Sequence, residues 1–100
     1  ITDTSEDVLI IRMRSVPAID ATGVQTLETI LEKCDKHNIT VIFSHVNEQP
    51  MRVMEKAGFV KKVGRQNYCD HIESAIVLAK QLRVRRQDHA GYRVPARQAR

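Results

Sequence analysis

Four consecutive residues, Asp20, Ala21, Thr22 and Gly23, place an acid, a hydroxyl and a glycine directly before an amphipathic stretch. An acid at the start of a helix can accept hydrogen bonds from the free N–H groups of the first turn. A hydroxyl there can carry a phosphate, and the same N–H groups can bind an anion directly. The 20–23 turn could therefore be a helix cap, a catalytic elbow, an anion-binding turn or a phosphorylation site.

The side chains of the 20–23 turn suggest different uses. Asp20 carries a charge that suits the positive end of a helix dipole. Gly23 lowers helix propensity inside a first turn, so we expect it to allow close approach by another backbone, a ligand or a partner. Thr22 places a hydroxyl where a phosphate would meet free N–H groups, although the carboxylate of Asp20 would repel that phosphate. Both a cap and a functional surface remain open.

Catalytic chemistry finds little support in the rest of the chain. Asp20 and Thr22 have no neighbouring base, and a lone hydroxyl is a weak nucleophile without one. The motifs GxGxxG, GxxxxGK[ST] and GxSxG are absent. The four histidines are His37, His45, His71 and His89, and none pairs with a cysteine, aspartate or glutamate at metal-ligand spacing on a regular element, which argues against a zinc site. We therefore predict a protein that is not an enzyme, with no catalytic residue, no metal ligand and no cofactor.

The apolar pattern predicts strands alternating with helices. Continuous apolar runs over 8–11 and 39–43 indicate strands buried on both faces, as in a parallel sheet. Between them, apolar residues at helical spacing predict a helix over 21–37, with Asn38 at the C′ position. This alternation implies an α/β fold, with a mostly parallel sheet and helices packed on it.

The second half of the chain predicts two further helices and a short strand. Asn47 is a favourable N-cap, and Pro50 suits a first helical turn because its missing N–H would have no partner there. Gly58 is expected to end this helix, and residues 59–60 could begin a third strand. A last helix is predicted over 71–83, where apolar residues again recur at helical spacing.

The excess positive charge lies at one end of the chain. Residues 1–84 hold 11 lysines and arginines against 11 aspartates and glutamates, whereas residues 85–100 hold five arginines and one aspartate. The body thus lacks a basic field that would gather phosphates, and we predict no nucleic-acid partner. We expect three parts: an irregular lead-in over 1–7, a domain over 8–83, and a basic, disordered tail over 84–100.

The two cysteines, Cys34 and Cys69, do not form a CxxC pair. Cys34 falls on the apolar face of the predicted helix 21–37, where we expect a buried free thiol. Nothing in the spacing indicates a disulfide scaffold, which favours a reducing compartment. The apolar runs are much shorter than the roughly 20 residues that span a bilayer, so we expect none of these residues to cross one.

A specific set of features lies in residues 8–59, VLIIRMRSVPAIDATGVQTLETILEKCDKHNITVIFSHVNEQPMRVMEKAGF. The set comprises Met13 with Pro17, the motif Asp20-x-Thr22-Gly23, an amphipathic helix, the strand Ile39-Thr40-Val41-Ile42, and a Pro50 helix that ends at Ala57-Gly58-Phe59. In this combination the chain resembles the STAS domain, in the version at the C-terminus of SulP-type sulfate and anion transporters. The resemblance covers about residues 8–83.

The resemblance implies a small sheet with helices on one side, in a non-catalytic domain that regulates or assembles its transporter. It implies a location at the cytoplasmic face of the inner (plasma) membrane, as part of an integral membrane transporter. The implied partners are the transmembrane domain of the parent transporter and a cytosolic regulatory protein. A nucleotide or an anion could also bind at the 20–23 turn.

The related anti-sigma-factor antagonists imply a second use of the same turn. Their matching loop carries a phosphorylated serine in a D-S-[ST]-G pattern, and a kinase that is also an anti-sigma factor docks on the loop and the helix after it. Here Asp20, Thr22 and Gly23 match, but Ala21 occupies the first hydroxyl position, so Thr22 is the local candidate phospho-acceptor. The resemblance thus implies a regulatory or docking loop at 20–23, and a free-standing antagonist regulated by phosphorylation is the alternative to the transporter domain.

The start of the chain departs from the family pattern. The family fold usually begins with a hairpin and a first helix upstream of the strand predicted at 8–11. We therefore expect the N-terminal hairpin and first helix to be missing and the domain over 8–83 to be partial. A sheet without those strands would have an open edge, so the parent chain is expected to supply more.

Overall fold

The computed structural model describes the backbone of residues 2–4 and 8–91 and the side chains of residues 8–84. The described residues form four strands and four helices, with a short 3-10 turn at Arg65–Asn67. In chain order they are β1 (Thr2–Thr4), β2 (Val8–Arg12), α1 (Ala21–Lys36), β3 (Thr40–Ser44), α2 (Glu48–Lys56), α3 (Phe59–Val63), β4 (Tyr68–Cys69) and α4 (Ile72–Gly91).

The four strands form one sheet in the order β1-β2-β3-β4. Strands β2 and β3 are parallel along their whole length, from Val8 opposite Thr40 to Arg12 opposite Ser44. Strand β4 extends the parallel part at the end of β3, with Tyr68 opposite Phe43. The predicted α/β fold with a mostly parallel sheet is confirmed.

Strand β1 corrects the predicted irregular lead-in over 1–7. Residues Thr2–Thr4 pair antiparallel with β2, with Thr2 opposite Ile11 and Thr4 opposite Leu9. Their polar composition suggested an irregular segment, but pairing at the side of a sheet needs backbone hydrogen bonds rather than apolar side chains, and threonine favours strands. Residues 2–4 of the predicted lead-in therefore belong to the sheet, and residues 1 and 5–7 lie outside the described residues.

The helices cover both faces of the sheet. On one face, Ile11 and Phe43 pack with buried residues of α1, α2 and α3. On the other, Ile10 and Ile42 pack with Ala75 of α4. The one-sided arrangement implied by the resemblance is therefore wrong for this chain. The physical reason is the continuous apolar run in β2 and β3, because strands that are apolar on both faces need a cover on both.

The third parallel strand lies later in the chain than expected. Gly58 follows the C-cap of α2 and adopts the left-handed conformation, with φ 83°. The helix therefore ends where the sequence predicted. Residues 59–60 then begin helix α3 and are buried, whereas the strand is Tyr68–Cys69. Two adjacent apolar residues carry no periodicity, so they fit a single helical turn as well as a strand.

Helix α4 extends well past the predicted end at residue 83. It continues to Gly91, so the first part of the predicted disordered tail over 84–100 is helical, and residues 92–100 lie outside the described residues. Residues 84–90 contain neither glycine nor proline, and arginine, glutamine and alanine all favour helix. The positive charge of residues 84–90 is therefore compatible with helix, and α4 does not end where the charged segment begins.

Candidate functional site

The 20–23 turn lies where the chain leaves the carboxyl end of β2 and enters α1. The backbone N–H of Met13, just after β2, donates to Ser44 O at 2.9 Å and so extends the contact between β2 and β3. Residues 14–19 then form the loop that leads to Asp20. In open parallel sheets this edge is where ligands and partners commonly bind.

Asp20 is the N-cap of α1. Its backbone is extended, with φ −109° and ψ −173°, and its Oδ1 accepts the N–H of Gly23 at 2.9 Å. The N–H of Val24 donates to Asp20 O at 2.9 Å, which closes the first helical turn. The predicted cap is confirmed, and the side chain that makes it is exposed.

Ala21 and Thr22 occupy the first two positions of α1, and both are exposed. The hydroxyls of Thr26 and Thr29 are used within the helix, where Thr26 Oγ1 donates to Thr22 O at 3.1 Å and Thr29 Oγ1 donates to Gln25 O at 3.1 Å. Within the part of the chain that the structure describes, the hydroxyl of Thr22 has no hydrogen-bond partner. Thr22 is therefore the accessible hydroxyl of the turn.

Gly23 is not required by a close contact within the described residues. A Cβ added there would lie 3.5 Å from Asp20 Oδ1 and 3.5 Å from Ile19 Cβ, which is ordinary van der Waals contact. The expected close approach to Gly23 by a ligand or partner therefore stays a prediction, since no other part of the described chain makes it.

Two amide side chains from the start of α2 fix the loop that leads to the turn. Asn47 Nδ2 donates to Val16 O at 2.9 Å and to Arg14 O at 3.1 Å, with Met13 O at 3.4 Å. Gln49 pairs with both backbone groups of Ile19: Gln49 Oε1 accepts the N–H at 2.9 Å and Gln49 Nε2 donates to the carbonyl at 3.2 Å. These bonds join residues about 30 positions apart in the sequence.

Asn47 stands at the predicted N-cap position, but its side chain does not cap α2. The predicted role is therefore wrong in its chemistry, and Gln49 was missed altogether. The signal that could have found them is the spacing Asn47-x-Gln49-Pro50 at a helix start. Pro50 has no N–H to donate to the Asn47 side chain from the third helical position, and the Asn47 Nδ2 group donates to the loop.

Among the described side chains, the remaining nucleophilic and metal-ligating groups do not form a reactive centre. Both cysteines are free thiols, and burial raises the pKa of Cys34 and of Cys69, whose pKa is also raised by the charge of Asp70. Protonated thiols are poor nucleophiles. His45 and His71 have ring centroids 6.4 Å apart, but the described side chains form no group of three metal-ligating residues. The predicted buried thiol at Cys34 is confirmed.

An open groove of about 670 Å³ lies at the corner between α2 and α3 and contains no residue of the 20–23 turn. It is lined by Glu55, Gly58, Val60, Lys61, Gly64 and Arg65. A ligand at the turn would therefore lie on an exposed surface, outside this groove. Within the described range, no helix combines the length and hydropathy that crossing a bilayer requires.

Comparison with known proteins places these features in a family. The family model for the STAS domain matches residues 1–75. "Putative sulfate transporter YvdB" of Bacillus subtilis (strain 168) is 29% identical over 63 residues, which is 63% of this chain and 12% of that protein.

Two solved structures superpose on the chain, each with a TM-score of 0.72 and 37% identity. One is a sulfate transporter family protein from Wolinella succinogenes, matched over 76% of this chain, and the other is the SulP transporter STAS domain from Vibrio cholerae, matched over 79%. The match covers 62% of each solved chain. The chain belongs to the STAS domain family, and the relatives it resembles are the STAS domains of SulP-family sulfate transporters.

Proposed function

We propose that this chain is the non-catalytic regulatory and interaction domain of a SulP-family transporter for sulfate or another inorganic anion. It acts at the cytoplasmic face of the inner membrane, beside the transmembrane domain of its parent protein, and contacts a cytosolic regulatory protein through the 20–23 turn. Membership of the STAS family and the 37% identity to a SulP transporter STAS domain support this assignment.

The observation that carries the proposal is that the 20–23 turn is both fixed and exposed. The cap at Asp20 and the amides of Asn47 and Gln49 hold the backbone, while Ala21 and Thr22 present their side chains to solvent. A surface that is already ordered loses little conformational entropy when a partner binds. The turn also lies outside the α2–α3 groove, and no base stands beside Asp20 or Thr22 in the sequence, which favours contact over catalysis.

Phosphorylation of Thr22 is the regulation that this turn supports best. Thr22 lies in the first helical turn, where free N–H groups and the helix dipole favour a phosphate. The N–H of Gly23 is already bonded to the carboxylate of Asp20, so a phosphate on Thr22 would compete for that donor and repel the carboxylate. The modification would thus change both the charge and the conformation of the contact surface.

The accessible Thr22 hydroxyl also supports the alternative function, a free-standing anti-sigma-factor antagonist switched by a kinase. Incubation with the cognate kinase followed by mass spectrometry separates the two functions when it is combined with the number of membrane spans that the reading frame encodes. Stoichiometric phosphate on Thr22 in a protein without membrane spans favours the antagonist. Absence of phosphate on Thr22 removes the main support for it.

Direct binding of a small anion at the turn is a narrower form of the proposal. Titration with sulfate, ATP or GTP should shift the backbone amide resonances of residues 18–24 if the helix N-terminus binds the anion. Shifts confined to the arginines of residues 85–100 would instead indicate nonspecific charge attraction.

The proposal is tested by anion uptake through the full-length protein that contains this chain. Thr22→Arg places a large charged side chain on the exposed turn, and we expect uptake of radiolabelled sulfate to change severalfold at equal protein in the membrane. Ser74→Arg is the matched control, because Ser74 is exposed in the first turn of α4 and carries the same helix-dipole cost. Equal uptake by both variants, or a reading frame that encodes no membrane spans, would contradict the proposal.

A further inference from the structure

The loop over residues 14–19 has no regular structure, yet the side chains of Asn47 and Gln49 make four hydrogen bonds to its backbone. Asn47 holds the carbonyls at its start, and Gln49 holds both polar groups of Ile19 at its end. Both side chains come from the first residues of one helix, α2. A backbone segment that joins no helix or sheet needs such partners, because unpaired polar groups are costly when partly buried.

The position of Pro50 explains why the Asn47 side chain does not cap α2. An asparagine at the N-cap typically accepts, through its side-chain oxygen, the N–H two or three residues later. Here Pro50 occupies the third helical position and has no N–H, and Asn47 makes no side-chain cap bond to α2. The Asn47 Nδ2 group, a donor that a cap bond through Oδ1 would not use, bonds to the loop, and its shortest bond is to Val16 O at 2.9 Å.

The contact at Ile19 is the one closest to the functional surface. Ile19 directly precedes Asp20, and the peptide group that joins them includes the Ile19 carbonyl that accepts from Gln49 Nε2. The orientation of that peptide sets where the extended backbone of Asp20 begins, and hence where its carboxylate meets Gly23. A glutamine supplies one acceptor and one donor, the same pair that a neighbouring strand would supply.

We propose that Gln49 is the positioning residue of the 20–23 turn, and that Asn47 fixes the loop before it. The Gln49 amide holds Ile19 so that Asp20, Ala21 and Thr22 are presented in one orientation at the start of α1. The start of α2 is therefore part of the docking apparatus, although it lies 30 residues away in sequence from the residues it positions. The importance of this positioning for transport rests on the proposed function.

Hydrogen–deuterium exchange of the full-length protein tests the positioning directly. In Gln49→Ala, we expect amide exchange of residues 16–24 to become about tenfold faster, since two hydrogen bonds of ordinary net strength are lost. Gln49→Glu keeps the acceptor for the Ile19 N–H and loses the donor, so we expect an intermediate rate. Exchange in β3 should not change in either variant, which separates a local release of the loop from general destabilisation.

Gln81→Ala is the matched control, because Gln81 is an exposed glutamine on α4 at the opposite face of the sheet. It should leave exchange of residues 16–24 unchanged. If Gln49→Ala leaves that exchange unchanged as well, or if β3 accelerates equally, the positioning role is wrong.

Sulfate uptake by the same variants separates this inference from the proposed function. We expect Gln49→Ala to change uptake in the same direction as Thr22→Arg, and Gln49→Glu to change it less. If Thr22→Arg changes uptake and Gln49→Ala does not, the inference is overturned while the proposed function stands. If exchange of residues 16–24 accelerates but neither variant changes uptake, the positioning is supported and the proposed function fails.

Discussion

At the scale of single residues, the Asp20 side chain stabilises α1 by accepting the N–H of Gly23. We predict that Asp20→Ala lowers the free energy of unfolding by about 1 kcal/mol, because an alanine N-cap leaves that N–H without its partner. Asp20→Asn keeps a side-chain oxygen and should lose much less. Urea denaturation of the three proteins measures the difference, and an equal loss in both variants would mean that charge, and not the cap bond, is responsible.

Gly23 gives the opposite prediction for stability. An added Cβ meets only ordinary contacts at 3.5 Å, and alanine has a higher helix propensity than glycine. We expect Gly23→Ala to raise the free energy of unfolding by about 0.5 kcal/mol. If a partner approaches the turn closely, the same variant should alter sulfate uptake by the full-length protein despite being more stable. A loss of stability in urea denaturation would show that the glycine is needed for the fold itself.

The difference between Asp20 and Gln49 shows what the sequence could predict about the site. A cap depends on residues three positions apart, so the turn at Asp20 was visible in the local pattern. The partner of Gln49 is Ile19, and their contact exists only because the sheet brings the starts of α1 and α2 to the same edge. The sequence predicts a cap at Asn47, the usual role of asparagine at that position, whereas its side chain bonds to the loop over residues 14–19.

At the scale of elements, the bounds of α1, β2 and β3 agree with the sequence to within one residue, whereas α3, β4 and the end of α4 do not. The helix expected over 21–37 is Ala21–Lys36, and the strand expected over 39–43 is Thr40–Ser44. Asn38 lies at the C′ position with φ 60°, as its type suggested. The two-residue strand β4 and the single turn of α3 are too short to show a period, so only their packing against β3 decides their conformation.

The connection through α3 depends on two glycines with positive φ, Gly58 at 83° and Gly64 at 99°. We predict that Gly58→Ala lowers the free energy of unfolding by about 1 kcal/mol, because nothing lies within 4 Å of the added Cβ and only the left-handed backbone opposes it. Gly64→Ala should cost more, about 2 kcal/mol, because its φ of 99° and ψ of 130° lie outside the small left-handed region.

A double variant distinguishes backbone strain from crowding at Gly64. A Cβ there would lie 2.7 Å from Gln66 Nε2, the flexible end of that side chain. We expect Gly64→Ala combined with Gln66→Ala to remain nearly as unstable in urea denaturation as Gly64→Ala alone. Full recovery in the double variant would show that the side chain, and not the backbone conformation, sets the cost.

At the scale of the whole molecule, the sheet separates two cores that differ in size. The core on the α1–α3 face includes Phe43, stacked on Tyr68 with ring centroids 5.0 Å apart, and Met54, whose sulfur accepts from the Tyr68 hydroxyl at 3.6 Å. The core on the α4 face is smaller and uses Ala75 and Ala79 against the strands. The sequence indicated strands buried on both faces, but it could not say which helix covers which face, since every helix in the chain offers apolar residues.

Three groups that ionise in alkaline solution lie wholly or partly buried in these cores, and their pKa values predict how stability depends on pH. Burial raises the pKa of Cys34, and burial with the charge of Asp70 raises that of Cys69. The pKa of Tyr68 is raised chiefly by burial and further by Glu55, against the opposing effect of Arg65. The folded state therefore keeps these protons at a pH where the unfolded chain has lost them, so stability falls as pH rises.

We predict a free energy of unfolding whose contribution from these groups is complete below about pH 8.5, where unfolded thiols begin to ionise, and declines above it. Tyr68 should add to the decline above about pH 10. Urea denaturation under reducing conditions at pH 7, 8.5 and 10 measures the trend. The double variant Cys34→Ala with Cys69→Ala should be less stable at every pH, yet lose less on going from pH 8.5 to 10. An equal slope in both proteins would mean that neither thiol keeps its proton in the folded state, and that the alkaline loss arises elsewhere in the molecule.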